Sequence, residues 1–172
     1  QGNVWCYMGE YEKGLDCFLK ALDVMYEIGN KKWIATAKNN IGSLYTLLED
    51  YNTALIYYED ALKIFKEIGD QNGMSLATGN LGNLYNAQGK HDKAIEYYLA
   101  AVKLDEKTGN IQQLATNYTN LGEAYSNIND LENAVKYLEK AALNFNNIGN
   151  KIGLAAVYLT LSKIYKKTND NL

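Results

Sequence analysis

The segment Leu81-Gly82-Asn83-Leu84-Tyr85 decides the fold, because close copies of it stand at a spacing of 40 residues along the chain. The copies are Ile41-Gly42-Ser43-Leu44-Tyr45, Leu121-Gly122-Glu123-Ala124-Tyr125 and Leu161-Ser162-Lys163-Ile164-Tyr165. We refer to positions that are 40 residues apart as one register. Self-similarity at a fixed period of this length indicates a stacked repeat protein, in which each unit contacts only its neighbours. The 172-residue chain is therefore expected to form a linear stack and not one globular core.

Each repeat contains two segments with the hydrophobic period of an amphipathic helix. Between Asn30 and Leu48 apolar side chains recur at helical spacing, and a second stripe of the same kind runs from Tyr51 to Ile68. The second stripe carries a small–large–small pattern in three repeats. Its members are Ala54, Tyr58 and Ala61, then Ala94, Tyr98 and Ala101, then Ala134, Leu138 and Ala141. The unit is thus predicted to be a pair of helices.

Short polar joints connect these predicted helices. Gly29, Gly69, Gly109 and Gly149 each end an apolar stretch and are followed by Asn30, Asp70, Asn110 and Asn150. Glycine suits the left-handed residue after a helix, and the Asn or Asp that follows accepts backbone N–H bonds at the next helix start. Connections this short make consecutive helices antiparallel. A glycine inside a helix, such as Gly82, costs about 1 kcal/mol relative to alanine, so its recurrence predicts a bulky neighbour packed on that spot.

Composition narrows the functional classes. The chain has a net charge of −3, no proline, and 17 basic residues that are all lysine. Without arginine the best side chain for bidentate recognition of phosphate and guanine is missing, so nucleic-acid binding is disfavoured. No apolar stretch reaches membrane-spanning length, which predicts no membrane segment. Cys6 and Cys17 form no metal or redox motif and are interpreted as free thiols of a reducing compartment, so a cytoplasmic location is expected.

The sequence also lacks the patterns of catalytic and cofactor sites. His91 is the single histidine, and no serine, cysteine or acid pairs with it in a triad order. There is no phosphate loop, no dinucleotide-binding turn and no zinc-ligand spacing. We therefore predict a protein with no enzymatic activity, no cofactor and no metal. A repeated tyrosine row, Tyr57, Tyr97 and Tyr137, is interpreted as packing between repeats.

The pattern resembles the tetratricopeptide repeat. That family's motif has a large apolar residue, a small one and a tyrosine, followed nine residues later by alanine, an aromatic residue and alanine. Leu81, Gly82, Tyr85, Ala94, Tyr98 and Ala101 fill these positions. The period of 40 exceeds the usual period of about 34 and looks like the long variant in Leu-Gly-Asn-repeat G-protein modulators, bacterial signalling proteins and peptide-pheromone receptors. An aromatic residue expected early in the motif is replaced by Lys38 and Thr78 in two units.

The resemblance implies an all-α fold, a right-handed α-α superhelix of antiparallel helix pairs. We expect one solenoid over residues 1–172, with a partial unit at 1–30, full units at 31–70, 71–110 and 111–150, and a terminal helix at 151–172. Because Gln1–Trp5 aligns with Ile41–Tyr45, the chain is expected to begin within a repeat of a longer protein. The last helix is either a cap or a cut end, and a cut end would favour end-to-end association.

In this family the first helices of successive units line a concave groove, so the resemblance implies a binding site there. Asn40, Asn80 and Asn120 share a register, and a carboxamide can pair with the backbone of an extended peptide. The alternative is that these asparagines are ordinary polar surface residues with no binding role. The predicted groove residues are Asn39, Asn40, Ser43, Asn80, Asn83, Asn86, Thr116, Asn120, Glu123, Asn127 and Lys163.

Two kinds of function fit such a groove. The first is a scaffold for protein–protein interaction, whose partner is a peptide or an extended segment of another protein. The second is a sensory or regulatory segment of a larger signalling protein, such as a histidine kinase, a cyclase or a peptide-pheromone receptor. In the second, the stack would act by intramolecular contact or by dimerisation. The neighbouring gene sequence separates the two, since a catalytic domain on the same chain supports the second.

Overall fold

A computed structural model describes residues 11–169, and every regular element in this range is an α-helix. The helices are α1 (Tyr11–Ile28), α2 (Lys31–Leu47), α3 (Tyr51–Glu67), α4 (Gln71–Ala87), α5 (His91–Thr108), α6 (Ile111–Asn127), α7 (Leu131–Asn147) and α8 (Lys151–Asn169). Helices that are consecutive in the described chain pack on one another, and α2, α4, α6 and α8 also touch one another in turn. The predicted all-α solenoid of helix pairs is confirmed. Cys6 and the start of the partial unit lie outside the described residues.

The joints between repeats have the predicted chemistry. The four glycines of the joint register adopt φ angles of 70–73°, in the left-handed region. Asn30 Oδ1 then accepts a hydrogen bond from the backbone N–H of Trp33 at 3.1 Å. Asp70, Asn110 and Asn150 cap the next three first helices in the same way. Each pair of glycine and Asn or Asp therefore ends one helix and begins the next.

Glycines inside the first helices make room for large side chains of the second helices. The matched pairs are Gly42 with Tyr58, Gly82 with Tyr98, and Gly122 with Leu138. A Cβ atom on these glycines would come within 2.5–2.9 Å of the partner side chain, closer than packed side chains approach. The predicted bulky neighbours are confirmed, and they are the large members of the small–large–small stripe.

The repeated tyrosine row packs both between and within repeats. The stacked pairs are Tyr45–Tyr57, Tyr85–Tyr97 and Tyr125–Tyr137, with ring centroids 5.2–5.6 Å apart. Each of these pairs lies within one repeat. Tyr97 also packs against the core cluster that contains Tyr58 of the preceding repeat, and Tyr137 packs against the cluster that contains Tyr85. The row therefore packs between repeats, as predicted, and it also holds the two helices of each pair together.

A phenylalanine seated on a glycine closes two of the junctions between repeats. Phe65 of α3 lies over Gly73 of α4, and Phe145 of α7 lies over Gly153 of α8. Both phenylalanines are buried. The junction of α5 and α6 differs, because Asp105 stands in the register of the two phenylalanines.

Asp105 forms a buried polar cluster at that middle junction. Its side chain is 0% exposed, and Oδ2 accepts a hydrogen bond from Asn117 Nδ2 at 2.7 Å. Its second oxygen, Oδ1, has no hydrogen-bond partner among the described residues. Burial raises the pKa of Asp105, while the hydrogen bond from Asn117 acts in the opposite direction. The middle junction thus buries an ionisable group where its neighbours bury an aromatic ring.

The helix α8 has one face that no other described helix covers. Ile152 is 85% exposed, Leu159 is 66% exposed and Tyr158 is 57% exposed. In the preceding repeat Tyr118, which shares the register of Tyr158, is only 6% exposed and belongs to the core cluster with α7. Despite this apolar face, no helix within residues 11–169 is both long and apolar enough to cross a membrane.

Candidate functional site

Four asparagines from successive first helices form a row of hydrogen bonds, which we call the amide chain: Asn39, Asn80, Asn83 and Asn120. Asn80 Nδ2 donates to Asn39 Oδ1 at 3.1 Å, which joins α4 to α2. Asn83 Nδ2 donates to Asn80 Oδ1 at 3.3 Å within α4. Asn120 Nδ2 donates to Asn83 Oδ1 at 3.1 Å, which joins α6 to α4. In each of the three bonds the residue later in the sequence is the donor, so the row runs from α6 through α4 to α2.

The two neighbouring asparagines of α2 have different environments. Asn39 is 1% exposed, so its amide oxygen is an internal acceptor for Asn80 and not an open contact point. Asn40, in the register of Asn80 and Asn120, is half-buried and makes no side-chain hydrogen bond with the rest of the described chain. Of the predicted groove residues, Asn39 is the one whose side chain is buried in the core.

Ser43 and Asn83 bind the hydroxyls of buried tyrosines. Tyr58 donates to Ser43 Oγ at 3.1 Å, and Tyr98 donates to Asn83 Oδ1 at 2.7 Å. Burial raises the pKa of both tyrosines. The helical period predicts these tyrosines in the core, but it does not reveal that their hydroxyls reach this face. The signal for it was the polar residue directly after each interior glycine, in Gly42-Ser43 and Gly82-Asn83.

Three further residues of the predicted groove, Asn86, Thr116 and Asn127, also lie on the first helices α4 and α6. Asn127 Nδ2 of α6 donates to Asn86 Oδ1 of α4 at 3.4 Å. His91 Nδ1 lies 2.7 Å from the same oxygen, so the first residue of α5 is tied to the end of α4. Thr116 is half-buried, and its hydroxyl donates to the backbone carbonyl of Gln112 at 3.0 Å. Asn86 and Asn127 therefore also link neighbouring repeats.

At the α8 end, the face changes from amides to charged groups. Glu123 and Lys163 line a cleft of about 290 Å³ between α6 and α8. Partial burial in this cleft raises the pKa of Glu123, although the positive charge of Lys163 opposes this effect. Lys167, at the edge of the same cleft, donates to Asn129 Oδ1 at 2.9 Å. The structure thus brings the two predicted charged residues together.

The amide chain leaves hydrogen-bonding groups unused. A carboxamide carries two N–H donors and an oxygen with two acceptor sites. Asn80, Asn83 and Asn120 each use one N–H within the chain, so each keeps a second one. The oxygen of Asn120 accepts no hydrogen bond from residues 11–169. The row can therefore offer donors along its length and an acceptor at its α6 end.

Metal-ligating side chains are dispersed over the part of the chain that the structure describes. No group of three or more His, Cys, Asp or Glu side chains in that part could hold a metal ion. Cys17 is half-buried and its thiol is free. The residues of the amide chain and its surroundings offer hydrogen bonding by amides and hydroxyls, with charge at one end.

Comparisons with known proteins agree with this architecture. The sequence pattern of the tetratricopeptide repeat matches residues 1–67 and 73–142. No curated protein matches the sequence. The structure of aspartyl phosphate phosphatase F from Bacillus subtilis superposes with a TM-score of 0.89 and 16% identity, over 99% of this chain and 45% of that one.

Two further solved structures share the fold. The apo form of RapI superposes with a TM-score of 0.80 and 16% identity, over 98% of this chain and 47% of that chain. BtubC (BKLC) from P. vanneervenii superposes with a TM-score of 0.72 and 22% identity, over 86% of this chain and 61% of that chain. This chain therefore spans less than two thirds of the length of each of the three structures. At such identities the similarity establishes a common arrangement of helices.

Proposed function

The chain belongs to the tetratricopeptide repeat family, and on that premise we propose that it binds an extended segment of a partner protein along the amide chain. The fold supports a role as a scaffold for protein–protein interaction, because stacked helix pairs present a long continuous surface. The observation that carries the proposal is the one-directional row of hydrogen bonds from Asn120 to Asn39. That row places spare N–H groups from α4 and α6 along one line.

An extended polypeptide is the occupant whose chemistry fits this row. Its backbone repeats carbonyl acceptors and N–H donors with a rise of about 3.3 Å per residue. Carboxamides pair with both kinds of group, and the row itself is uncharged. Asn80, Asn83 and Asn120 would then bind main chain, while flanking positions such as Ser43 and Asn86 select side chains.

The charged end of the face supports one orientation for the bound segment. Lys163 faces the cleft between α6 and α8, and Lys167 lies at its edge. With Glu123 as the single acid there, the end nearest α8 carries more positive than negative charge. We expect an acidic side chain or a terminal carboxylate of the partner to lie at this end.

Peptide selection followed by mutagenesis tests the proposal. Random linear peptides displayed on phage are selected on the immobilised chain, and the Kd of each selected peptide is measured by fluorescence anisotropy. Asn40→Ala and Asn120→Ala are each expected to weaken binding about tenfold, which is the loss of one hydrogen bond. Asn40 lies outside the amide chain but shares the register of Asn80 and Asn120, so it would extend the same binding surface onto α2. It makes no bond between repeats, so its replacement is expected to leave the stack intact and gives the sharper test.

A surface asparagine elsewhere provides the matched control. Asn147 is exposed on α7, a second helix, so Asn147→Ala should leave the Kd unchanged. Thermal unfolding of all variants separates loss of binding from loss of the fold. The proposal is contradicted if no peptide is selected, or if Asn40→Ala and Asn120→Ala bind as tightly as Asn147→Ala.

A regulatory segment of a larger signalling protein is the second candidate function. The similarity to aspartyl phosphate phosphatase F favours it, since nearly the whole of this chain aligns with 45% of that protein. The amide chain would then contact another domain of the same polypeptide, as in a histidine kinase, a cyclase or a peptide-pheromone receptor. The complete reading frame decides between the two candidates, because a catalytic or DNA-binding domain beside the repeats supports only the second.

We further propose that the repeats have no catalytic activity and work in the cytoplasm. The polar side chains of the face are largely bonded to one another, as Asn83 is to Tyr98, which suits recognition more than proton transfer. The free, half-buried thiol of Cys17 suits a reducing compartment. Nucleic acid is a poor partner for a chain whose 17 basic residues include no arginine.

A further inference from the structure

A cleft of about 390 Å³ opens around Thr78, where α3, α4 and α5 meet. Apolar parts of its wall come from Leu62 of α3, Met74 of α4 and Leu104 of α5. Thr78 is 7% exposed, and its hydroxyl donates to the backbone carbonyl of Met74 at 2.7 Å. The hydroxyl of Thr78 therefore has its hydrogen-bond acceptor within α4, and the side chain adds a small, largely apolar surface to the wall of the cleft. A volume of this size lies at the lower end of the range for small binding pockets.

The next repeat shows what fills the same place. Tyr118 lies in the register of Thr78 and is 6% exposed. Its ring stacks on Tyr137 with centroids 5.9 Å apart, and its hydroxyl donates to Glu106 Oε1 at 3.1 Å. Lys140 Nζ lies 5.3 Å from the centre of the same ring. At this register one repeat is filled by the phenol ring of Tyr118. The preceding repeat has Thr78 there, and the corresponding space is open.

The cleft has an aromatic ring at the position of Tyr137, as in the following repeat. At the position of Glu106, however, it has a positively charged residue. Tyr97 lies in the register of Tyr137 and lines the cleft. Lys66 lies in the register of Glu106, so an ammonium group replaces the carboxylate that binds the Tyr118 hydroxyl. The Lys66 ammonium has no ion-pair or hydrogen-bond partner among residues 11–169. It can therefore donate to an oxygen atom on an incoming ring.

We propose that this cleft binds an aromatic side chain of a partner protein, preferably tyrosine, with the ring on Tyr97 and the hydroxyl oxygen accepting from Lys66. The cleft is open at its rim, where Glu96 and Ala100 are exposed. A side chain can enter through this opening while its own backbone stays outside. Aromatic anchors at protein interfaces act in this way, by filling a pocket that the surrounding contacts keep dry.

The cleft is separate from the amide chain. Thr78 and Asn80 are two residues apart on α4, which turns the helix by about 200° and directs the two side chains to opposite sides. The cleft lies between the second helices α3 and α5, whereas the amide chain joins the first helices α2, α4 and α6. The proposal therefore stands whether or not a partner binds along the amide chain.

Titration with N-acetyltyrosinamide, followed by NMR of labelled methyl groups, tests the proposal. Saturable shifts are expected for the methyl groups of Leu62, Met74 and Leu104, which line the cleft. Thr78→Tyr supplies the ring internally and is expected to weaken binding by at least about tenfold. Thr78→Lys is a second blocking variant, and the fold should tolerate it because Lys38 holds the same register.

The following repeat allows a matched variant that gains a site. Tyr118→Thr empties the equivalent place and is expected to add a second saturable site for N-acetyltyrosinamide, next to Glu106. The anionic ring compound para-toluate distinguishes the two sites. It should bind beside Lys66 and should not bind beside Glu106, because like charges repel.

Several outcomes would overturn the proposal. Shifts that do not saturate, that are equally large with N-acetylalaninamide, or that persist in both Thr78 variants are each incompatible with a ring in the cleft. Thermal unfolding is measured for every variant. Loss of the shifts in Thr78→Lys at an unchanged unfolding temperature supports the proposal, even if Thr78→Tyr does not fold.

Discussion

The residue before a second helix shows how one side chain decides a helix start. Asp50 and Asp130 accept hydrogen bonds from the backbone N–H groups of Thr53 and Asn133 at 3.2 and 3.1 Å. Hydrogen bonds from the side chains of Thr53 and Asn133, together with these backbone bonds, lower the pKa of the two aspartates. Lys90 lies in the same register, and no side chain caps α5 there, because an ammonium group has nothing with which to accept.

Replacing Lys90 by aspartate should therefore stabilise the protein. Lys90→Asp is expected to raise the free energy of unfolding by about 1 kcal/mol, by capping α5 as Asp50 caps α3. Urea unfolding measures the change. Lys103→Asp, at an exposed position within α5, makes the same charge change without a cap and should give no gain. An equal effect of the two substitutions would rule out the capping explanation.

Features that depend on one residue's own chemistry could be predicted from the sequence, and features that depend on distant partners could not. The left-handed glycines, the Asn and Asp caps and the interior glycines follow from local rules. The amide chain does not, because Asn80 finds its partner Asn39 in another helix, 41 residues away. The sequence places Asn40, Asn80 and Asn120 in one register, but only the packed helices show that Asn80 and Asn120 bond to the preceding repeat.

At the scale of the elements, the junction between α5 and α6 is the exception in the stack. Its neighbours bury Phe65 and Phe145 against glycines, while Asp105 places a carboxyl group in that register. The pKa of Asp105 is raised by burial above its ordinary value of 3.8. A group whose pKa is higher in the folded state destabilises the fold once it is charged. Asp105 therefore lowers the free energy of unfolding progressively as the pH rises from 3.8 through its raised pKa in the folded state.

Asp105→Asn should remove this pH dependence. The variant keeps an oxygen acceptor for Asn117 and carries no charge, so we expect it to be about 1 kcal/mol more stable than the parent at neutral pH. The difference in the free energy of unfolding should shrink as the pH falls towards 3.8, where the parent carboxyl is protonated in the folded state. Urea unfolding at a series of pH values measures it. A difference that is constant with pH would show that the charge on Asp105 is not the cause.

At the scale of the whole molecule, a stack of repeats has two ends, and the α8 end is apolar. Ile152, Tyr158 and Leu159 are all more than half exposed. In earlier repeats the positions that correspond to Tyr158 and Leu159 contact later helices, as Tyr118 contacts Tyr137 of α7 and Asn39 contacts Asn80 of α4. A surface of this kind favours contact with another copy, and a contact between unlike ends can continue into open chains. The sequence predicts such end-to-end association for the case in which the last helix is a cut end and not a cap.

Self-association through α8 gives a prediction for the chain of residues 1–172. Its weight-average mass in sedimentation equilibrium should rise with protein concentration. Leu159→Lys should suppress that rise, because it places a charge in the apolar face. Ile56→Lys makes the same change at an exposed position on α3 and should not, since Ile56 lies away from the end of the stack. A monomer at all concentrations, or equal effects of both variants, would contradict end-to-end association.

The cleft at Thr78 also belongs to this scale, because it exists only between three helices. The sequence showed that Thr78 and Lys38 replace an aromatic residue of the motif. It could not show which of these replacements leaves space. Lys38 Nζ reaches Asp60 Oδ2 at 2.5 Å, whereas Thr78 reaches only its own helix and leaves the cleft open. A difference of this kind depends on the length of the side chain and on what surrounds it.

The central claim is that a partner segment lies along the amide chain. The most direct measurement is an NMR map of the backbone and Asn side-chain amide signals, recorded with and without a peptide selected on the chain. We predict shifts at the side-chain amides of Asn40, Asn80, Asn83 and Asn120, and none at Asn147 on α7. Shifts confined to the second helices α3, α5 and α7, with the signals of the amide chain unchanged, would contradict the claim.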